Sequence, residues 1–342
     1  MNHLPRLDVD ALILTRDDTL IDVSRSYPEV VAKTVQLYLE QGVGLLPSAE
    51  PLLTTQEVNL LYQNGNFSSY LDAATALLIY FIELLPPVPS PTFPSRYHVP
   101  AIVAYLQMAG GRLHIKVDSL REQKNISGLV QDITAAGGGL NGANAALAKI
   151  NRHLLVEGGN ITRTNLVGRV FQEFYLGSKL FEQIYGQPPV LAQSQGFIAR
   201  ETLLIDRDTL TRLTRRLPLG LVAACSRAEL NHTLQTHHLT GLFQSTITLD
   251  DMRAARAEPP PAPWSLLEAA RCLPVTPAHC AYMGATTPDI QAAKAASHSV
   301  PFTAIGVLAG APDKAVRRRA FEQAGAGIII GHPLNIQELI LD

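Results

Sequence analysis

Three side chains able to do chemistry follow one apolar run. Val9 to Leu14 is followed by Thr15, Asp17 and Thr19, with Leu20-Ile21-Asp22 behind them. A carboxylate can accept a proton or direct a water, whereas a threonine hydroxyl needs a base before it can attack anything. Three other groups invite a chemical reading. His232, His237 and His238 lie close in sequence but have no Cys or acid pair at metal-like spacing, so they read as surface histidines. Cys225 next to Ser226-Arg227 has no assignable base and reads as a small, semi-buried residue. Gly137-Gly138-Gly139 precedes a helical pattern, but neither a convincing strand before it nor a Gly-Lys-Ser/Thr after it supports a phosphate cradle, and it reads as a turn.

The elements that must position these groups can be read from periodicity. An apolar run as short as Val9 to Leu14, bounded by turn-forming residues, fits a strand buried on both faces of a parallel sheet. Ligands gather at the carboxyl ends of such strands, which places Thr15, Asp17 and Thr19 at a site. Helical spacing follows over Tyr27 to Gln41, with Gly42 as its stop, then over Phe67 to Leu85, Val99 to Met108, Ala143 to Leu155 and Thr164 to Tyr185. The stretch Pro86 to Pro94 must be loop, because proline lacks a donor N–H and restrains its predecessor. From about residue 196 strands and helices alternate: strands at Leu203 to Ile205, Leu219 to Ala224, Ala281 to Met283, Thr303 to Val307 and Gly327 to Ile330, with helices between them. The expected fold class is α/β, a doubly wound parallel-sheet core over 1–25 plus 196–342 carrying a mostly helical insertion over 26–195.

Composition narrows the function classes. The 342 residues are 46% hydrophobic with a formal charge of −2, enough for a sizeable core and without an electrostatic case for nucleic acid. Arg215-Arg216 and Arg317-Arg318-Arg319 read as solvated helix surface. Three scattered cysteines and two acids, Asp8 and Asp10, where a signal peptide would be apolar, point to a reducing cytoplasm. The sequons at Asn66, Asn125, Asn160 and Asn231 are then chance matches. Ala73 to Ile82 is too short to span a membrane and is expected to be a buried or interface helix, a candidate contact surface together with the prolines after it.

The motifs resemble those of the haloacid dehalogenase superfamily, in particular its phosphoglycolate-phosphatase-like branch, where a helical cap interrupts the core after the first motif. Its first motif ends a strand with Asp-x-Asp-x-Thr; aligned on Asp17 and Thr19, the attacking Asp falls on Thr15. Using Asp8 and Asp10 instead would put the pair at the wrong end of the strand. The second motif's hydroxyl falls on Ala223, in the run Gly220 to Arg227. The third motif's Lys falls on Pro260, within Glu258 to Leu267, with Arg253 and Arg256 as the nearby cations. The fourth, Gly-Asp-x-x-x-Asp, keeps Gly284 and Asp289 but has Ala285 for its first Asp.

The resemblance therefore implies the fold of a Mg²⁺-dependent phosphatase without its nucleophile, its charge-balancing Lys and one metal acid. The leading expectation is a pseudo-hydrolase whose vestigial catalytic positions are Thr15, Asp17, Ala223 and Pro260. Thr15, Asp17 and Thr19 would line a ligand cleft for a small anion, or the protein would act on a protein partner. No cofactor is expected; Mg²⁺, if held at all through Asp289, would bind weakly with Ala285 lost. The alternative is an altered phosphoric-ester hydrolase with Asp17 as base and Asp289 helping a metal. A third reading is an oligomeric structural subunit, a homo-oligomer of this chain.

Overall fold

A computed structural model describes residues 6–90, 92, 98–147, 150–311 and 313–341. Residues 91, 93 and 94 of the expected proline loop, and 148–149 of the helix expected over 143–155, lie outside the described residues. The chain separates into two compact units, Met1–Ser24 with Glu201–Asp342, and Arg25–Arg200.

The first unit holds all eight named strands: β1 (Ala11–Thr15), β2 (Ile21–Asp22), β3 (Thr202–Leu203), β4 (Leu219–Val222), β5 (Ser245–Ile247), β6 (Cys280–Gly284), β7 (Phe302–Val307) and β8 (Ile328–Ile330). Six of them form one parallel sheet in the order β5-β4-β1-β6-β7-β8. β1 is central because Ala11 to Leu14 are apolar without alternation, and all four are buried. The sheet grows outward from β1 in both directions, so the loops after β1, β4 and β6 meet at a topological switch point, where such sheets bind ligands. Helices cover the sheet; Leu266, Ile290 and Phe321 pack on Ile13, Val222 and Tyr282, each buried aliphatic contributing about 1.5–3 kcal/mol. Gly306 lets Phe321 approach, since a Cβ there would lie 2.3 Å from its ring.

Two strands differ from expectation. The segment at Leu203 does not join the main sheet; β3 pairs antiparallel with β2 in a separate ribbon, Ile21 opposite Leu203 and Asp22 opposite Thr202. β5 was not foreseen, because Ser245-Thr246-Ile247 is too short and too polar to stand out as an apolar run. At the amino end of β1, Asp10 accepts hydrogen bonds from the backbone N–H groups of Ala278 (2.8 Å) and His279 (3.0 Å), anchoring the turn before β6.

The second unit is helical. Its α-helices are Tyr27–Leu37, Thr55–Asn64, Tyr70–Glu83, Val99–Gly110, Val117–Gln123, Ile126–Ala135, Gly139–Ala146 and Leu166–Tyr185. The first passes into a π turn over Tyr38–Val43 and stops at Gly44, whose φ of 87° is left-handed, two residues beyond the expected Gly42. Thr54 and Glu57 form a capping box that starts the second. Tyr70–Glu83 is not a contact surface: Ala73 to Ile79, Phe81 and Ile82 are all buried inside the unit. Leu166–Tyr185 breaks at Gly177, where the backbone meets that of Gln195 and Gly196 so closely that a Cβ would lie 2.4 Å from the Gly196 nitrogen. Among the described residues, no helix is long and apolar enough to cross a membrane.

Candidate functional site

β1 delivers Thr15 to the carboxyl edge, and the chain then turns tightly. Leu20 and Ile21 both donate to the Arg16 carbonyl, at 3.0 and 2.9 Å, and Asp18 adopts a left-handed φ of 54°. This fixes what each side chain can reach. Thr15 stands beside the phenol of Tyr282 on the neighbouring β6, and that phenol donates to Asp289 Oδ1 at 2.9 Å. Burial, then the nearby Asp289, push the Tyr282 phenol well above its ordinary range, so it stays protonated.

Asp289 is held as firmly from its other side. Its Oδ2 accepts from the Thr286 hydroxyl (2.7 Å), the Thr286 N–H (2.9 Å) and the Ala285 N–H (3.1 Å), making it the third residue of a capping box that starts the helix Thr287–Ala296. Burial raises its carboxyl while these donors oppose the shift. Both oxygens of the acid expected to help a metal are thus engaged, Oδ1 by Tyr282 and Oδ2 by the helix start.

Asp17 is engaged too, by a residue that the sequence reading passed over. Arg16 lies between Thr15 and Asp17 and is completely buried. Its guanidinium forms ion pairs with Asp17 and with Glu201, and donates to the Thr233 hydroxyl at 3.2 Å. The Glu201 side chain is 1% exposed and that of Asp17 is 20% exposed, so one carboxylate is interior and the other is at the rim. A second arginine corrects the sequence reading outright: Arg317, grouped there with solvated helix surface, is 7% exposed. From the helix Lys314–Ala324 it donates to the Ala285 carbonyl at 3.0 Å, and its charge acts on Asp18. The Asp18 carboxyl is pushed up to about 7 by burial and by the charges of Asp17 and Asp22, against the Val23 N–H and Arg317.

The remaining motif positions offer less. Ala223 is buried, and its N–H is taken by the Ile247 carbonyl at 2.8 Å. Pro260 lies in the loop between the helices Leu249–Ala255 and Trp264–Arg271. Of the two nearby cations, Arg253 is 67% exposed and pairs with Asp250 at 3.5 Å, and Arg256 is exposed at a helix end. Thr19, expected to line the cleft, is completely buried with no hydrogen-bond partner for its hydroxyl among the described residues, so its place is interior. Cys225 is buried and its thiol is pushed well up by that burial. His232 and His237 are pushed down, first by burial and then by Arg16, which keeps them neutral. In the glycine run of the second unit, Gly138 and Gly139 donate their N–H groups to Ile133 (2.8 Å) and Gly65 (2.7 Å), so the run is a turn and not a cradle.

The donor set does not fit Mg²⁺, a hard ion that takes carboxylate and water oxygens in octahedral geometry. Thr15 and Ala285 supply no carboxylate, Asp289 caps a helix and Asp17 faces a guanidinium. No group of three or more His, Cys, Asp or Glu suited to a metal occurs among the described residues.

Comparison with known proteins adds the following. The profile of haloacid dehalogenase-like hydrolases matches residues 9–297. An imidazoleglycerol-phosphate dehydratase from Phytophthora nicotianae is 32% identical over 158 residues, 44% of this chain and 33% of that protein. The chain thus spans about a third of the length of that curated relative. A structural-genomics X-ray structure aligns with a TM-score of 0.60 at 18% identity, covering 96% of this chain and 97% of that one. The phosphatase Tt82 from Thermococcus thioreducens aligns with a TM-score of 0.49 at 20% identity, over 91% and 99% of the two chains.

Proposed function

The chain belongs to the haloacid dehalogenase-like hydrolase family, and within it we propose a non-catalytic member, a pseudo-hydrolase that keeps the fold and acts by binding. One observation carries the reading: both carboxylates left at the motif positions are already engaged inside the chain. Asp17 pairs with Arg16, and Asp289 caps its helix while accepting from Tyr282. A threonine can attack phosphorus only if a base takes its proton. Its neighbour here is a protonated phenol that itself donates to Asp289. The cations are matched as well, since Arg16 faces two carboxylates and Arg317 acts on Asp18. A dianionic phosphate would find no surplus charge in that arrangement, which favours a protein partner over a phosphate ligand.

The row Thr15, Tyr282, Asp289 supports a second reading, in which it relays a proton from the threonine to the acid during hydrolysis. Burial favours a proton on Asp289, but three further donors on its Oδ2 oppose that and count against the role.

One experiment tests both readings. The purified full chain is assayed on a phosphomonoester panel with excess Mg²⁺ beside Thr15→Ala, Asp17→Asn and a chelator control. Imidazoleglycerol phosphate is included because it appears in the name of the Phytophthora relative. The proposal expects release of phosphate no faster in the native chain than in either variant. Turnover lost in Thr15→Ala would establish the relay, and turnover lost in Asp17→Asn and in chelator would establish a metal-dependent enzyme; either overturns the proposal.

A further inference from the structure

We infer that Arg16 is the resident cation of this site, and that its guanidinium does within the chain the charge-balancing work that the family's divalent ion would otherwise do. The inference deepens the proposed function, since it explains how a site without a metal set can remain folded around its acids. It rests on geometry. Arg16 is, with Arg169, one of the two largest fully buried side chains of the protein's described residues, and two carboxylates converge on it, one from the segment before the helical insertion and one from the first residue of the returning core. A third donor contact, to Thr233, ties the same guanidinium to the helix Arg227–Thr236.

The backbone keeps it there. The Arg16 N–H donates to Val222 O at 3.0 Å, and its carbonyl accepts from Leu20 and Ile21, so the residue is fixed on both sides. Cys225, His232 and His237 all feel Arg16, and burial favours the neutral form of each. Two carboxylates sharing a buried position repel unless a cation stands between them. Arginine suits that task, because its planar group presents several donors at once and stays charged. A divalent ion would have to displace it.

Removing the guanidinium should therefore create a demand for cation that the native chain lacks. The test is thermal unfolding of the full chain in millimolar MgCl2 or guanidinium chloride, each against NaCl at matched ionic strength. The native protein is expected to show no shift in Tm with Mg²⁺. Arg16→Ala is expected to melt roughly 10 °C lower, the size of breaking one buried pair, and to regain part of that loss in guanidinium or Mg²⁺ beyond the NaCl control. The double variant Arg16→Met/Glu201→Gln removes the cation together with its interior carboxylate, and is expected to fold and to ignore added cations. That variant carries the test if Arg16→Ala does not fold. A native Tm that rises with Mg²⁺, an Arg16→Ala loss restored equally by NaCl, or a double variant that stays unfolded or is stabilised by Mg²⁺ would overturn the inference. Metal-independent phosphate release by the native chain would sink the proposed function and leave this inference standing, so the two fail separately.

Discussion

Each unit contains a buried arginine–glutamate pair, and the two are built differently. In the helical unit Arg169 and Glu173 lie one turn apart on the same helix, 1% and 0% exposed, with Nε to Oε1 at 2.7 Å. Apart from a bond from Arg169 to Gln187 Oε1 at 3.3 Å, the other bonds there are to backbone: Glu173 accepts from the N–H groups of Val190, Leu191 and Ala192 at 2.8 to 2.9 Å, and Arg169 donates to Pro188 O at 2.9 Å. The pair folds the loop after Tyr185 back onto its helix, and that accounts for it fully. In the core unit Arg16 instead joins two carboxylates far apart in sequence, and one of them, Asp17, reaches the rim of the edge where sheets of this kind bind ligands. Burial alone does not distinguish a structural pair from one at a candidate functional site. What distinguishes them is whether the remaining valences are met by backbone or by other ionisable side chains.

That contrast can be broken by mutation. The largest effect is expected from Glu173→Ala, which leaves Arg169 unpaired and three N–H groups without an acceptor. A loss of about 3–5 kcal/mol is expected in urea unfolding, with faster proteolysis over 187–192 and no recovery in Mg²⁺ or guanidinium. Recovery there would erase the distinction from Arg16. Glu201→Gln should cost less, about 2–3 kcal/mol, because Asp17 still balances Arg16; a cost above that of Glu173→Ala would show that the interior half of the core pair dominates. Tyr282→Phe removes the bridge from β6 to Asp289 and is expected to cost about 1 kcal/mol, read from the same unfolding curves. A loss several times larger would mean that the bridge, and not the Arg16 pair, holds the edge together.

The smallest effect is a pH dependence at Asp18. Its carboxyl titrates near about 7 in the fold, above the ordinary carboxylate range of the unfolded chain. Between those two values the folded state holds a proton that the unfolded state has released, so stability from this group falls as pH rises and levels off above its folded value. Asp18→Asn keeps the left-handed turn and removes the titration. It should match the native Tm at about pH 4 and exceed it by a few degrees at about pH 8; equal differences at both ends would remove Asp18 from the account.

Much of this was legible in the sequence for a plain reason. Apolar runs such as Ala11 to Leu14 and Cys280 to Gly284 can be strands only where both faces are covered, and the motif spacings keep their register even where the motif residues have changed. The substitutions at Thr15, Ala223, Pro260 and Ala285 could be read because each sits in an intact frame. What replaced them could not. Glu201 reaches Arg16 across 185 positions, and Arg317 turns inward from a basic run whose neighbours Arg318 and Arg319 are exposed. No local pattern encodes either contact. Arg16 did leave a signal, a charge set against a strand predicted to be buried on both faces, since such a charge must be paired. Asp289 could be read two ways, because one carboxylate can serve a metal or a helix cap, and its cap bonds come from donors around it in the fold.

The central claim is that the carboxyl edge of the sheet is completed by the chain's own side chains. Calorimetric titration of Mg²⁺ into the native full-length protein tests it most directly, with Asp17→Asn as the control. The account predicts no heat beyond dilution in either protein; a one-to-one binding isotherm that disappears in Asp17→Asn would contradict it.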